Sequence, residues 1–270
     1  MIASEQLATL SIDDVVLNRL VPAVMAAGEA IMKVKQVGFD VEQKSDHSPV
    51  TQADKAANAI LLDALSQFYP EIDVISEEAE DSHRLASSQR YFLVDPLDGT
   101  KEFIRPDSKG NFTVNIGLVL DGQATGGIVY APMRDMLFVG VANEASYLVH
   151  NQQCHLLDVD KPVASRPHNR TVALASRSHM DEHTRSFLEQ HQIEDVVSVG
   201  SSVKFGYLAM GEADIYPRFA PTCEWDTAAG EAVLRGAGGY VTDATGNPHR
   251  YGKPDWLNNP FIAYGRFPSS

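Results

Sequence analysis

The sequence predicts a fold of packed helices and sheets, α+β in its first half and α/β in its second half. Two helical patterns cover residues 15–68, and short β-strand patterns joined by tight turns follow up to residue 149. After a proline-containing stretch at 158–170, strands and helices alternate. We therefore expect helices packed on an antiparallel sheet in a domain of residues 1–160, and a mixed α/β sheet in a domain of residues 161–270.

Two helices are predicted before residue 70. Residues 15–34 carry Val, Leu, Ala and Met at helical spacing, and Pro22 should kink or restart this helix. Thr51 and Asp54 form a capping-box pattern, in which each side chain bonds to the backbone of the other residue. This pattern predicts the start of a second helix over 55–68.

The strands are predicted from short apolar or alternating runs that end at turn residues. In the first half they are 73–76, 91–94, 112–120, 127–130, 136–141 and 146–149. In the second half we expect strands at 172–175, 196–199, 213–216, 240–242 and 261–264, and helices at 181–191, 202–210 and 226–235. Asp121-Gly122 predicts a hairpin turn. The polar stretch 79–90 predicts a mobile loop.

The composition limits the classes of partner. The net charge of −14 argues against a nucleic-acid binder or a protein held on anionic membranes. The two cysteines lack a CxxC spacing, which fits a reducing compartment. The N-terminus lacks a signal-peptide pattern, and no segment approaches the roughly 20 apolar residues that span a bilayer. We predict a cytoplasmic protein without a transmembrane segment, and leave open peripheral attachment at the inner face of the membrane and a homodimer.

The most informative stretch follows the apolar run at 91–94. Pro96 holds Asp95 in an extended conformation, and Gly99 allows a tight turn, so the strand is expected to end here. Asp95 and Asp98 then share a small volume, where like charges repel and a hard cation is the usual remedy. The exposed backbone amides that follow could face an anion. Although Asp and Gly also decorate ordinary turns, this stretch predicts a magnesium-dependent phosphate site.

Four more acidic residues are candidates, and each has a structural alternative. Glu77 and Glu78 end a predicted strand, where adjacent side chains point to opposite sides, so only one can serve a given cation directly. Helix capping alone is a sufficient structural role for Asp54. Capping is also compatible with a catalytic role, because it fixes the orientation of the carboxylate. Asp226 begins a predicted helix, where the helix dipole favours an acid. The small residues that follow Asp226 leave room for a cation.

A second group of residues could bind another anionic group. Ser201, Ser202 and Lys204 open a predicted helix and offer hydroxyls, amides and a cation. His179 and Arg218 follow strands in the same half and could supplement them. The structural alternative is a serine cap beside an exposed lysine. The glycine-rich motifs of nucleotide triphosphatases, dinucleotide-binding proteins and serine hydrolases are missing from the sequence, which disfavours those classes.

Four motifs together resemble the inositol monophosphatase superfamily of lithium-sensitive, magnesium-dependent phosphatases. They are residues 49–54 (Pro-Val-Thr-Gln-Ala-Asp), 75–78 (Ile-Ser-Glu-Glu), 95–100 (Asp-Pro-Leu-Asp-Gly-Thr) and 225–230 (Trp-Asp-Thr-Ala-Ala-Gly). Within the superfamily the chain is most similar to the CysQ-type 3'(2'),5'-bisphosphate nucleotidases, as shown by residues 98–104, 130–132, 176–179, 200–205 and 216–219. Cys223-Glu224 departs from the pattern and places an extra carboxylate near the expected substrate.

The resemblance implies an αβαβα layered sandwich and a phosphatase activity. The implied reaction is hydrolysis of the 3'(2')-phosphate of adenosine 3'(2'),5'-bisphosphate to AMP and phosphate, and of the same phosphate in 3'-phosphoadenylyl sulfate. Such an enzyme would clear a by-product of sulfate assimilation. The preference between these substrates, and between the 2'- and 3'-phosphates, stays open.

The resemblance also implies a set of Mg²⁺ ligands. Glu77, Asp95 and the carbonyl of Leu97 would hold one ion. Asp95, Asp98 and Asp226 would hold a second ion, and a third, weaker ion near Glu77 is left open. Carboxylates, a carbonyl and water are the ligands that Mg²⁺ prefers.

The implied nucleophile is a metal-activated water. Thr100, hydrogen-bonded to Asp54, would orient this water and accept its proton, and the amides of Gly99 and Thr100 would bind the phosphoryl oxygens. Residues expected to contact the substrate are Glu77, Leu97, Asp98, Gly99, Thr100, His179, Ser201, Ser202, Lys204, Arg218 and Asp226.

Three alternatives remain open. Another phosphatase of the superfamily could act on inositol phosphates or on fructose 1,6-bisphosphate. A non-catalytic phosphate or nucleotide sensor should show a broken set of metal ligands, whereas every expected acid is present. A calcium-binding acidic protein is disfavoured because the sequence has no EF-hand loop.

Overall fold

Two long helices form the first layer of the fold. The computed structural model describes residues 15–43, 49–105, 110–161, 163, 170–176 and 180–266. Helix α1 (Val15–Val37) runs through Pro22 without restarting. A small ladder of β1 (Val41–Gln43) and β2 (Pro49–Thr51) leads into α2 (Gln52–Phe68). Both helices bury their apolar faces against each other and against the large sheet described next.

The large sheet has seven strands in sequence order. They are β3 (Asp73–Ser76), β4 (Arg90–Asp98), β5 (Thr113–Leu120), β6 (Gln123–Ala131), β7 (Met136–Val141), β8 (Ala145–His150) and β9 (Gln153–Leu156). Strands β3 and β4 pair in parallel, and every later pair is antiparallel. Asp121 and Gly122 both have positive φ in the predicted hairpin turn. The short helix α3 (Thr100–Ile104) follows β4.

The second half supplies a mixed five-stranded sheet and three helices. They are β10 (Val172–Ala175), α4 (Glu182–Gln190), β11 (Asp195–Ser198), α5 (Val203–Ala209), β12 (Ile215–Arg218), α6 (Ala228–Gly236), β13 (Tyr240–Asp243) and β14 (Phe261–Tyr264). The sheet order is β11-β10-β12-β14-β13, with β10 parallel to β11 and β12, and β14 antiparallel to its neighbours. The prediction of a mixed sheet is confirmed.

The five layers stack in the order helix, sheet, helix, sheet, helix. Helices α5 and α6 contact each other and lie between the two sheets. Helix α4 covers the outer face of the small sheet, where Leu188 packs with Ile215. The αβαβα architecture implied by the resemblance is therefore confirmed. Among the described helices, none combines the length and the apolar character needed to cross a membrane.

Two glycines let α6 lie directly on the large sheet. A Cβ on Gly117 would meet Ala228 at 2.7 Å, and a Cβ on Gly127 would collide with the backbone carbonyl of Ala229. Glycine inside a strand often marks such a close backbone approach. Because α6 follows Asp226 directly, this contact also fixes the position of Asp226 over the sheet.

Two local predictions differ from the structure. Strand β4 continues to Asp98, although we expected it to end after residue 94. A register shift between Asp95 and Asp98 is the reason, because a β-bulge tolerates Pro96 within a strand. The stretch 79–90, predicted to be a mobile loop, contains the 3-10 helix Glu80–Arg84.

Gly127→Ala should destabilise the fold, because its methyl group would push the backbone of α6 away from the sheet. We expect a loss of about 1–3 kcal/mol in the free energy of unfolding, measured by urea denaturation. Gly126→Ala is the matched control, since its Cβ would meet only the side chain of Leu17, at 3.2 Å. Equal losses in the two variants would contradict this account of the glycine.

Candidate active site

The site lies where the ends of strands from both halves meet the starts of several helices. Parallel pairing of β3 with β4 places Ser76 beside Val94, so the residues that follow each strand are neighbours. A cavity of about 420 Å³ opens at this point. Nine predicted site residues line it: Glu77, Asp98, Gly99, Thr100, Ser201, Ser202, Lys204, Arg218 and Asp226.

Three aspartates form a cluster that we call the acidic floor: Asp98 and Asp226 line the cavity, and the buried Asp95 lies against them without being among the lining residues. Oxygen atoms of Asp95, Asp98 and Asp226 all lie within 4.8 Å of one another, and Asp95 is only 1% exposed. The backbone holds each carboxylate in place. The amide of Leu97 donates to Asp95 (3.0 Å), that of Cys223 donates to Asp226 (2.8 Å), and that of Ser202 donates to Asp98.

Burial and mutual repulsion disfavour full ionisation of these acids. Burial, followed by the charges of neighbouring carboxylates, raises the pKa of Asp95 and that of Asp226 well above the usual range. The pKa of Asp98 rises to about 6 through burial, opposed by the Lys204 ammonium and the Ser202 amide. A divalent cation would relieve this repulsion, and an all-oxygen donor set suits Mg²⁺. The residues therefore fit the predicted metal.

Glu77 belongs to the same electrostatic group. Its amide donates to the carbonyl of Val94 (3.0 Å), which places Glu77 next to Asp95. A hydrogen bond with the Glu77 carboxyl contributes to the raised pKa of Asp95. Glu77 lines the cavity, whereas its neighbour Glu78 is not among the lining residues. Of the two predicted candidates, the structure thus brings Glu77 to the site.

Thr100 and Asp54 form the hydrogen bond that the resemblance implied. The Thr100 hydroxyl lies 3.2 Å from Asp54 Oδ1 and 3.2 Å from the Leu97 carbonyl. The other Asp54 oxygen accepts from the amide and the hydroxyl of Thr51, both at 2.8 Å, which confirms the predicted capping box. Burial raises the pKa of Asp54, and the bonds from Thr51 oppose this. Capping therefore orients a buried carboxylate toward the cavity wall.

Two buried cations, Lys204 and Arg218, also line the cavity, and we call them its cationic wall. Lys204 is 5% exposed, donates to the Ser201 carbonyl and lies 4.8 Å from the centre of the Tyr216 ring. Burial lowers the pKa of Lys204 to about 8, although Asp98 opposes the shift. Arg218 donates to the Pro221 carbonyl (3.1 Å), and its Nε has no hydrogen-bond partner among the described residues. The alternative of an exposed lysine is therefore wrong.

The remaining predicted anion-site residues differ in their placement. Ser201 has a positive φ of 54° and lines the cavity. The Ser202 hydroxyl instead bonds to Asn115 (2.6 Å) and Thr113 (2.7 Å) of β5, so it ties α5 to the large sheet. His179 lies outside the described residues.

Sequence reasoning missed Glu102 and misplaced Glu224. Glu102 is 7% exposed and lines the cavity, and a Cβ on Gly200 would meet its carboxyl carbon at 2.8 Å. The sequence signal that could have identified Glu102 was its position directly after the predicted phosphate-binding turn.

Glu224 was expected near the substrate, but its carboxylate points elsewhere. It accepts hydrogen bonds from the amides of Gly252 (2.8 Å) and Lys253 (3.0 Å) and pairs with the Lys253 ammonium.

The layered fold and the acidic cavity define a class of protein. The sequence profile of the inositol monophosphatase family matches residues 13–265. The chain therefore belongs to this family, as its motifs predicted.

Individual relatives show which members of the family this chain is similar to. The 3'(2'),5'-bisphosphate nucleotidase CysQ of Escherichia coli (strain K12) is 41% identical over 237 residues, 87% of this chain and 93% of that protein. The protein of the same name from Buchnera aphidicola is 36% identical over 256 residues, 92% of each chain. The crystal structure of CysQ from Bacteroides thetaiotaomicron has a TM-score of 0.76 and 33% identity, and the match covers 91% of this chain and 95% of that one. The predicted similarity to CysQ-type proteins is confirmed.

Metal binding should stabilise the protein in a pH-dependent way. A raised carboxyl pKa means that the metal-free fold loses stability as pH rises from the usual 3.8 through about 6 for Asp98. Mg²⁺ competes with these protons, so its stabilising effect should grow over the same window. We expect Tm to rise by about 5–10 °C at pH 7.5 with Mg²⁺ at about 100 times its dissociation constant, and less at pH 5.

Asp95→Asn is the control for this measurement. It removes a buried charge that repels its neighbours, so the metal-free variant should keep or gain thermal stability at pH 7.5. It should also lose the Mg²⁺-induced rise in Tm. A variant that responds to Mg²⁺ as the wild type does would contradict the metal assignment.

Proposed function

We propose that the chain is a Mg²⁺-dependent phosphatase that hydrolyses the 3'(2')-phosphate of adenosine 3'(2'),5'-bisphosphate to AMP and phosphate. The observation that carries this proposal is one cavity in which an acidic floor adjoins a buried cationic wall, the latter formed by Lys204 and Arg218. A substrate with two phosphates needs both parts, because one phosphate must meet the metal and the other a cation. The nucleotidases named above support this choice, and the phosphate of 3'-phosphoadenylyl sulfate is a further proposed substrate.

The acidic residues would hold the Mg²⁺ ions. We assign Glu77, Asp95 and the Leu97 carbonyl to one ion, and Asp95, Asp98 and Asp226 to a second, and leave open a third near Glu77. When bound, these ions supply an activated water and neutralise the charge that develops on the leaving oxygen. As the shared ligand, Asp95 is held by the bulge in β4 and by its bond from the Leu97 amide.

Thr100 and Asp54 would handle the proton of the attacking water. The Thr100 hydroxyl accepts a hydrogen bond from this water and, in the same arrangement, donates to Asp54 Oδ1. Because Asp54 is anchored by Thr51 and is 1% exposed, the Thr100 oxygen keeps its lone pairs directed to the cavity. The raised pKa of Asp54 suits a group that takes up a proton in the reaction.

Backbone amides of the turn would bind the phosphoryl oxygens. Gly99 has a φ of 89°, and a Cβ there would lie 3.0 Å from the Asn111 carbonyl and 3.3 Å from Ser201. A glycine is therefore required both by the conformation and by the space. The amides of Gly99 and Thr100 begin α3 at the cavity, where they can donate to an anion as its charge develops.

The cationic wall would receive the nucleotide. Lys204 and Arg218 are the side chains that we assign to the remaining 5'-phosphate, and Ser201 and Ser202 line the same cavity. His179 stays a proposed contact to the adenosine from the sequence pattern alone. The negative overall charge of the chain repels an anion, so such local cations must select it.

Phosphate release from a panel of substrates tests the proposed function. The panel contains adenosine 3',5'-bisphosphate, its 2',5' isomer, 3'-phosphoadenylyl sulfate, AMP, inositol 1-phosphate and fructose 1,6-bisphosphate, with Mg²⁺ varied and Li⁺ added. We expect the bisphosphate nucleotides to give the highest kcat/KM and Li⁺ to inhibit. Preference for inositol 1-phosphate or fructose 1,6-bisphosphate would replace the proposal, and an inert protein at saturating Mg²⁺ would favour a sensor.

Thr100→Val should remove the proton acceptor and leave the metal ligands in place. We expect kcat to fall by about 100-fold, the lower end of what a positioned acid or base contributes. The Mg²⁺-induced rise in Tm should persist, because no carboxylate is changed. Thr100→Ser is the matched control and should keep most of the activity. A Val variant as active as the Ser variant would exclude the assigned role.

Lys204→Met should weaken hydrolysis of adenosine 3',5'-bisphosphate more than that of 3'-AMP. Met keeps the buried stem and removes the charge, so the change tests the second phosphate and not packing. Loss of a charge-assisted contact of about 1.5–3 kcal/mol predicts a 10- to 150-fold larger loss of kcat/KM for the bisphosphate. Lys101→Met, an exposed lysine on the cavity rim, is the control. Equal losses for both substrates would contradict the assignment.

A further inference from the structure

His83 joins the two chain segments that carry acids of the site. It lies in the 3-10 helix Glu80–Arg84, outside all motifs that the sequence analysis used. Its ring Nε2 donates to the carbonyl of Ser76 at 2.8 Å. The same ring stacks on Trp225, with 4.9 Å between the ring centres and 22° between their planes. One imidazole therefore contacts the residue before Glu77 and the residue before Asp226.

The surroundings of His83 hold the ring in this place. Trp256 Nε1 donates to the His83 carbonyl at 3.0 Å, so the backbone beneath the ring is tied to a buried side chain. Ser82 accepts from the Ser76 amide at 3.1 Å and donates to the Ala79 carbonyl at 2.6 Å. The 3-10 helix is thus attached to the end of β3 by two consecutive side chains.

The end of β3 needs such an attachment. Strand β3 is an edge strand of the large sheet, so among the described strands only β4 supports it through backbone pairing. On the α2 side, the Ser76 hydroxyl donates to Asn58 at 2.7 Å. His83 adds a further support beside Ser82, and its ring also contacts Trp225, the residue before Asp226. Partners behind metal ligands orient those ligands and tune the affinity of the site.

We propose that His83 is a positioning residue that fixes Glu77 relative to Asp226, so that two metal positions form at once. The inference rests on the proposed function, since it takes both acids as Mg²⁺ ligands. The hydrogen bond sets the backbone that leads into Glu77, and the ring stack sets the backbone that leads into Asp226. Without the ring, each carboxylate keeps its own neighbours, but no contact through His83 fixes the position of Glu77 relative to that of Asp226.

Direct binding of Mn²⁺, followed by electron paramagnetic resonance of the free ion, tests this role without relying on turnover. Three variants separate the two contacts: His83→Gln keeps a donor for Ser76, His83→Phe keeps the stack on Trp225, and His83→Ala removes both. We expect about tenfold weaker Mn²⁺ binding in the Ala variant and smaller losses in the other two. The half-saturating Mg²⁺ concentration for phosphate release should rise in the same order.

His191→Ala is the matched control. His191 also stacks on an aromatic ring, Phe187 (4.1 Å between centres), and bonds to its carbonyl (2.9 Å), but it ends α4 on the outer layer. It should leave Mn²⁺ binding unchanged. Metal-free Tm is measured for every variant, so a purely structural role would lower Tm and leave Mn²⁺ affinity as in the wild type.

The outcomes distinguish this inference from the proposed function. Wild-type protein that binds no Mn²⁺ and releases no phosphate would overturn the proposed function, and this inference with it. Wild-type binding together with unchanged affinity in all three His83 variants would overturn the positioning role alone. If His83→Ala does not fold, the Gln and Phe variants decide, because each retains one of the two contacts.

Discussion

Electrostatic repulsion among buried carboxylates is the constraint on which the rest of the site depends. Asp95, Asp98 and Asp226 come from two halves of the chain, and their oxygens lie within 4.8 Å of one another. A fully ionised pair at that distance costs on the order of 3 kcal/mol at an effective dielectric constant of about 20. Surface side chains would simply move apart. These cannot, because each carboxylate accepts a hydrogen bond from a backbone amide that the fold has already fixed.

The scaffold explains how such a strained group is held. The bulge in β4 turns Asp95 and Asp98 toward one side, and the missing side chains at Gly117 and Gly127 let α6 bring Asp226 over the sheet. Lys204 partly offsets this repulsion, because its ammonium opposes the rise in the pKa of Asp98, and burial lowers the pKa of Lys204 itself. The same lysine therefore opposes the rise in the pKa of Asp98 and, in the proposed function, would present a cation to an anionic ligand.

Local signals were readable from the sequence, whereas contacts between distant segments were not. The capping box of Thr51 and Asp54 is complete within four residues, so its pattern fixed both the helix start and the direction of the carboxylate. The strand patterns predicted both sheets because each pattern is likewise complete within a short stretch of the chain. The Ser202 hydroxyl bonds to β5 and the Glu224 carboxylate bonds to the loop at Gly252, and neither partner lies near it in the chain. Spacing alone contains no information on such pairs.

The predicted end of β4 after residue 94 was wrong because it, too, depends on a contact with a distant segment, the pairing of β4 with β5. Because proline lacks a backbone N–H to donate, Pro96 taken alone predicts the end of a strand. In the sheet, the register shift means that the extra residue does not have to pair with β5, so the strand can continue through Pro96. Asp98 therefore lies on the same strand as Asp95. Two proposed metal ligands on one rigid strand keep their separation better than two on a loop. A feature that the sequence presents as a break is therefore what gives the acidic floor its rigidity.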